Sequence, residues 1–231
     1  MNRGLRGAYT RTVGVWTSAR GSGILDSMKQ TTKVVLAVLA VLAIIVIAIF
    51  ASFRGAYNSM VEMEENVNAA WSQVENQYQR RLDLIPNLVE TVQGFADQEQ
   101  ETLTAVTQAR SRAGGVMQMD ESLLDDPEAF QRFQEAQQGL GSALQRLLMV
   151  TENYPELRSN ENFLTLQDQL EGTENRISVE RMRFNEAARA YNTSIRQFPR
   201  VILANMFGFE PREYFSASEG AENAPEVDFG D

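Results

Sequence analysis

Val34–Phe53 reads VVLAVLAVLAIIVIAIFASF, 20 residues with no charge and a single Ser. At about 1.5 Å per residue such a helix spans about 30 Å, the thickness of a bilayer's hydrocarbon core. Six basic residues (Arg3, Arg6, Arg11, Arg20, Lys29, Lys33) precede it against Asp26 alone, whereas the chain after Lys33 holds 15 basic and 30 acidic groups. The positive-inside rule therefore predicts a cytoplasmic N-terminus, a transmembrane helix over 34–53 and an extracytoplasmic remainder. A cleaved signal peptide is the rival reading, but its apolar region is normally about 7–15 residues with a small-residue cleavage site. This run is longer, AIFAS is a poor cleavage site, and the absence of Cys excludes a lipoprotein.

Residues 1–27 are rich in Gly, Arg and Ser and precede MKQTTK. Either Met28 is the true start or 1–27 is a disordered tail; the N-terminal mass of the purified protein distinguishes the two. The segment 218–231 is acidic, rich in small residues and expected to be disordered.

With neither Cys nor His, the chain lacks disulfides, thiol nucleophiles, imidazole bases and the usual transition-metal ligands. A di-iron carboxylate site needs Glu-x-x-His from two helices, so Glu64-Glu65 and Asp125-Asp126 read as solvated faces or caps. No cofactor and no metal is expected. Nucleic acid is an improbable partner for so acidic a body, because phosphate binding requires a positive footprint.

Positions 57, 60, 64, 67, 71, 74, 78 and 81 follow a 3-4 spacing and are apolar apart from Glu64 and Arg81. Further stripes run from Ile85 to Val106, from Phe130 to Thr151 and from Phe163 to Ile195. Asp126 before Pro127 reads as a cap with proline at the first helical position. No strand pattern occurs. The fold class is therefore all-α: a transmembrane helix followed by an antiparallel up-and-down four-helix bundle over 54–217.

Pro86 interrupts this pattern. One helix over 56–113 would run about 87 Å, against about 39 Å for 126–151. A turn near Leu82–Ile85 gives three pieces of about 40 Å each, which suits an antiparallel bundle. Pro86 then stands at the start of the second helix, where its missing N–H costs nothing, with Asp83 capping nearby donors. The alternative is a continuous, kinked helix.

AWSQVENQYQRRLDLIPNLVETVQGFADQE, LEGTENRISVERMRFNEAARAYN and FPRVILANMFGFEPREYF resemble the LemA family in order and spacing, over roughly residues 34–217. The family pattern is met at Arg80, Arg81, Asp83, Pro86 and Asn87, and again at Tyr191, Asn192, Phe198, Pro199, Phe207, Gly208 and Phe209. Gln98 departs from it where many members carry His. The resemblance implies a membrane-anchored bundle in a bacterial envelope, without an assigned enzymatic activity; family members are associated with envelope functions, including magnetosome membranes.

Three site readings follow. Arg80 and Arg81 at the corner are expected at the surface, where they can receive an anionic ligand. Glu180 and Arg110, both about 36 Å from the turn end if the helices start near 156 and 86, are candidates for a buried ion pair. The aromatic tail from Phe198 to Phe215 either folds back to close the end of the bundle or forms an interfacial patch. The expected function is a non-enzymatic, single-pass envelope scaffold or adaptor whose partners are the bilayer, other envelope proteins and a second copy of itself. The alternative is an extracytoplasmic sensory bundle that signals through a partner.

Overall fold

The computed structural model describes residues 21–96, 98–119 and 123–216, and side chains within 32–96, 98–117 and 123–216. It is all-α among those residues: α1 (Gly21–Gln93), α2 (Gln100–Met119), α3 (Pro127–Thr151), α4 (Pro155–Arg158), α5 (Glu161–Arg196) and α6 (Arg200–Phe207). Residues 21–27 are thus helical, while the reading of 1–20 and of 218–231 as disordered falls outside the described residues. Two compact units divide the chain between Phe53 and Arg54.

In the first unit the side chains of 32–53 are all exposed, although most are large and apolar. This stretch belongs to a helix long and apolar enough to cross a membrane.

The second unit is a packed helical body. Two contacts set the register of its longest pair of helices. Trp71 lies 5.5 Å from Phe184, and Arg81 reaches Glu174 at 2.7 Å. Ten residues forward along α1 correspond to ten backward along α5, so the two run antiparallel in constant register. The shorter α2 and α3 complete an apolar cluster containing Leu82, Ile85, Leu88, Val106, Leu140 and Phe163. A second cluster, around Trp71, Phe130, Phe133, Phe184 and Tyr191, also takes in Leu203 and Phe215 from the C-terminal segment.

The expected corner at Pro86 does not exist. α1 continues through it to Gln93, and the chain turns at 94–99 instead, so matched helices of about 40 Å are not what the body contains. Two features make this tolerable. Pro86 is exposed while Leu82, Ile85, Leu88 and Val92 form one unbroken buried stripe on both sides of it. Proline also lacks the N–H that would bond to the carbonyl four residues back, and here that carbonyl, on Leu82, accepts from Arg110 Nε at 2.8 Å. A donor on the neighbouring helix thus replaces the one the sequence removed. Asp83 caps nothing; its carboxylate accepts from Gln79 on the same helix at 2.7 Å.

A double-mutant cycle tests the replacement. Arg110→Ala is expected to destabilise by about 1.5–3 kcal/mol, the range for a hydrogen bond to a charged group. Pro86→Ala restores an amide for the Leu82 carbonyl, so the same Arg110→Ala change should cost clearly less in that background. Equal costs in denaturant titrations of both backgrounds would refute the coupling.

At the start of α3, Asp126 has extended backbone and its side chain accepts from the Glu128 amide at 2.9 Å, with Pro127 following, as expected for a cap. Within α3, a methyl group added to Gly139 would meet nothing within 4 Å. Helix-interior glycine is destabilising by about 0.5–1 kcal/mol relative to alanine. Gly139→Ala should therefore stabilise by about that amount, seen as a higher melting temperature.

Candidate functional site

Two polar assemblies interrupt the apolar interior of the body. The first centres on Arg81, which is only 4% exposed rather than at the surface. Its guanidinium binds Glu174 of α5 at 2.7 Å, the side chain of Gln137 of α3, and lies 5.0 Å over the Tyr78 ring. Arg81 sits between the two apolar clusters, since Tyr78 belongs to one and Leu82 to the other. It ties α1, α3 and α5 together at one level. Burial pushes the Tyr78 hydroxyl above its ordinary value, opposed by the Arg181 and Arg81 charges.

The second assembly holds the chain after α6. Gly208 ends that helix in the left-handed region (φ 77°), and residues 209–216 then run without helix along the body. Phe209 lies 5.6 Å from Tyr57, Arg212 binds Glu64 at 2.9 Å, and Phe215 stacks 6.0 Å from Trp71. Six extended residues cover about 20 Å, and the fourteen helical residues from Tyr57 to Trp71 cover about 21 Å, so the tail climbs α1 in step. Phe215 also contacts Phe130, Phe133 and Phe184.

Two asparagines of α5 clasp the tail's backbone. Asn192 donates to the Arg212 carbonyl and accepts from its amide, both at 2.8 Å. Asn185 does the same for Phe215, both at 2.9 Å. Seven helical residues rise about 10.5 Å and three extended residues about 10 Å, so the two clasps fit the two strand positions. Arg212 is buried and bridges Glu64 of α1 and Asp125 before α3.

Tyr191 lies beside these groups. Burial, and then the Glu64 carboxylate, push its hydroxyl far above the ordinary tyrosine value. The folded form thus holds this proton more tightly than the unfolded chain. Stability should be intact below about pH 10 and fall as the pH rises beyond the unfolded value, as alkaline denaturation would show.

The other expected site residues are scattered. Arg80, Asn87 and Gln98 are exposed and do not form a corner. The Glu180–Arg110 pair is absent: Glu180 binds Arg183 at 2.8 Å, and Arg110 serves the Leu82 carbonyl. The proposed match in depth depended on a helix starting at 86. From the true starts at 100 and 161, Arg110 lies about 15 Å along its helix and Glu180 about 29 Å along its own. Among the aromatic residues, Tyr191 is buried and Phe215 folds back into the body, whereas Phe198 and Phe207 remain exposed. Sequence reasoning missed Glu174, Gln137, Asn185 and Arg212. The signal available was the pair of charged positions, Glu64 and Arg81, within an otherwise apolar stripe.

The LemA family model matches residues 70–229. The chain is 32% identical over 174 residues to Magnetosome protein MamQ of Magnetospirillum gryphiswaldense. It is 30% identical over 178 residues to each of Magnetosome protein MamQ 1 and MamQ 2 of Paramagnetospirillum magneticum. These matches cover 69% of this chain and 64% of each relative, so the chain spans a little under two thirds of the relatives' length.

Proposed function

The chain belongs to the LemA family, and from that membership together with its construction we propose that it is a single-pass anchor presenting an acidic helical bundle outside the bacterial cytoplasmic membrane, where it acts as an envelope scaffold or adaptor. The carrying observation is the junction of an uncovered apolar segment, 32–53, with one compact body of strongly acidic composition. We read α1, α2, α3 and α5 as an antiparallel up-and-down bundle, and the body's buried charges tie one element to another. Arg81 joins three helices, and Arg212 joins the tail to α1 and to the approach to α3. Groups engaged in this way support a rigid presenting body rather than a reacting centre. The matched relatives, too, are named for a structure and not for a reaction.

The absence of cysteine makes the topology testable. Gln138→Cys, at an exposed position of α3, should be labelled in intact cells by a membrane-impermeant maleimide. Protection until the cells are lysed would overturn the orientation. For the scaffold role, the full chain extracted in mild detergent should carry an envelope protein, or a second copy of itself, at fixed stoichiometry. A stoichiometric small molecule in its place would move the assignment to sensing.

A further inference from the structure

α6 has two apolar faces. Leu203 and Ala204 are buried against the body, whereas Ile202, Met206 and Phe207 are exposed, and Phe198 just ahead of the helix is 82% exposed. An exposed cluster of this kind on an otherwise well-packed body marks an interaction surface. Its place in the body indicates what covers it. The constant register of α1 against α5 sets Arg54 opposite about residue 201, so α5 stops at Arg196, and the chain turns into α6, at the level where α1 enters the unit. Tyr57 touches Phe207 at 4.9 Å and follows Phe53, the end of the apolar run, by four residues. Charge follows the same geography. Residues 187–209 contain Arg189, Arg196 and Arg200 and no acid, Arg54 stands at the adjoining start of the unit, and the acids of this end, Glu62, Glu64, Glu65 and Glu210, belong to α1 and to the chain after α6. Apart from these four arginines, the chain after Lys33 has 11 basic and 30 acidic groups.

We propose that the outer face of α6, formed by Ile202 and Met206 with Phe198 just ahead of the helix and Phe207 at the edge that meets Tyr57, lies in the headgroup region of an anionic bilayer and holds the base of the body on the membrane surface. Large apolar residues flanked by arginines suit that boundary, where rings and alkyl chains enter the acyl layer and guanidinium groups meet phosphate. The inference rests on the anchor reading, because only a membrane-embedded 34–53 segment delivers Tyr57 and α6 to the surface.

The test uses the full chain reconstituted into phosphatidylglycerol–phosphatidylcholine vesicles. A nitroxide is attached at one position at a time in Ile202→Cys, Met206→Cys, Val41→Cys and Gln138→Cys variants. Relaxation by oxygen, which concentrates in lipid, is compared with relaxation by a water-soluble nickel chelate. The oxygen-to-nickel ratio at 202 and 206 should be several-fold above that at 138 and below that at 41. It should fall at 202 and 206, but not at 41, in vesicles of phosphatidylcholine alone. A ratio at 206 equal to that at 138, with 41 in lipid, overturns the docking and leaves the anchor standing. A water-exposed 41 overturns both. Loss of collisions with both reagents at 206 means a protein cover and overturns the proposal, and an unchanged ratio without anionic lipid overturns its electrostatic half.

Discussion

Arg81→Ala is expected to destabilise the body by about 2–5 kcal/mol, the range for truncating a large buried side chain. The change strips a cation from a level at which the side-chain oxygen of buried Gln137 accepts from Arg81. It also opens a void between the two apolar clusters. The reciprocal change acts through charge and not through volume. Glu174→Ala leaves the buried Arg81 cation with neutral partners only, a cost that water reaching the site from the 45% exposed Glu174 side reduces below that of a fully buried pair. Arg81→Met separates charge from volume. Apolar replacement of buried ionic groups is often close to neutral, so Met should recover much of what Ala loses. Denaturant titration of the detergent-solubilised full chain measures all three. A loss below about 1 kcal/mol for Arg81→Ala would show that this polar layer does not hold the helices together.

Phe215→Ala is the second large effect. The ring meets Trp71, Phe130, Phe133 and Phe184, and Arg181 lies 4.6 Å over its face. Truncating such a residue costs about 3–5 kcal/mol. The loss falls chiefly on docking of the tail, because α1, α3 and α5 retain their contacts around Arg81. Amide exchange across 209–216 should therefore accelerate by about two orders of magnitude or more, one decade per 1.4 kcal/mol, while the global unfolding midpoint moves less. Unchanged exchange in that segment would mean that the asparagine clasps alone hold it.

The helical class, the apolar run and the boundaries of α3 were legible because each rests on local pattern: periodicity, length, or a cap followed by proline. Pro86 was misread for a physical reason. Its local cost is real, and what offsets it is a hydrogen bond from Arg110, 28 residues away along the chain. No window centred on Pro86 contains that donor. The same holds for the tail, whose partners Glu64 and Trp71 lie more than a hundred residues upstream. What could be read was the anomaly itself. Glu64 and Arg81 break an apolar stripe, and both lie beside buried partners or are buried themselves, whereas Glu180 binds its helical neighbour Arg183.

Asn185 and Asn192 behave as the teeth of a comb. Each grips main-chain groups with both atoms of its amide, and Asn192 also donates to the Tyr214 hydroxyl at 2.9 Å, so the comb measures length first. A residue inserted or deleted between Arg212 and Phe215 would throw one tooth out of step by about 3.3 Å, too far for either bond to stretch. Substitution at Glu213 leaves that metre untouched, whereas a change at Tyr214 removes the hydroxyl that Asn192 also meets. The segment is thus intolerant of a changed count, and the letters it depends on are Arg212, Tyr214 and Phe215.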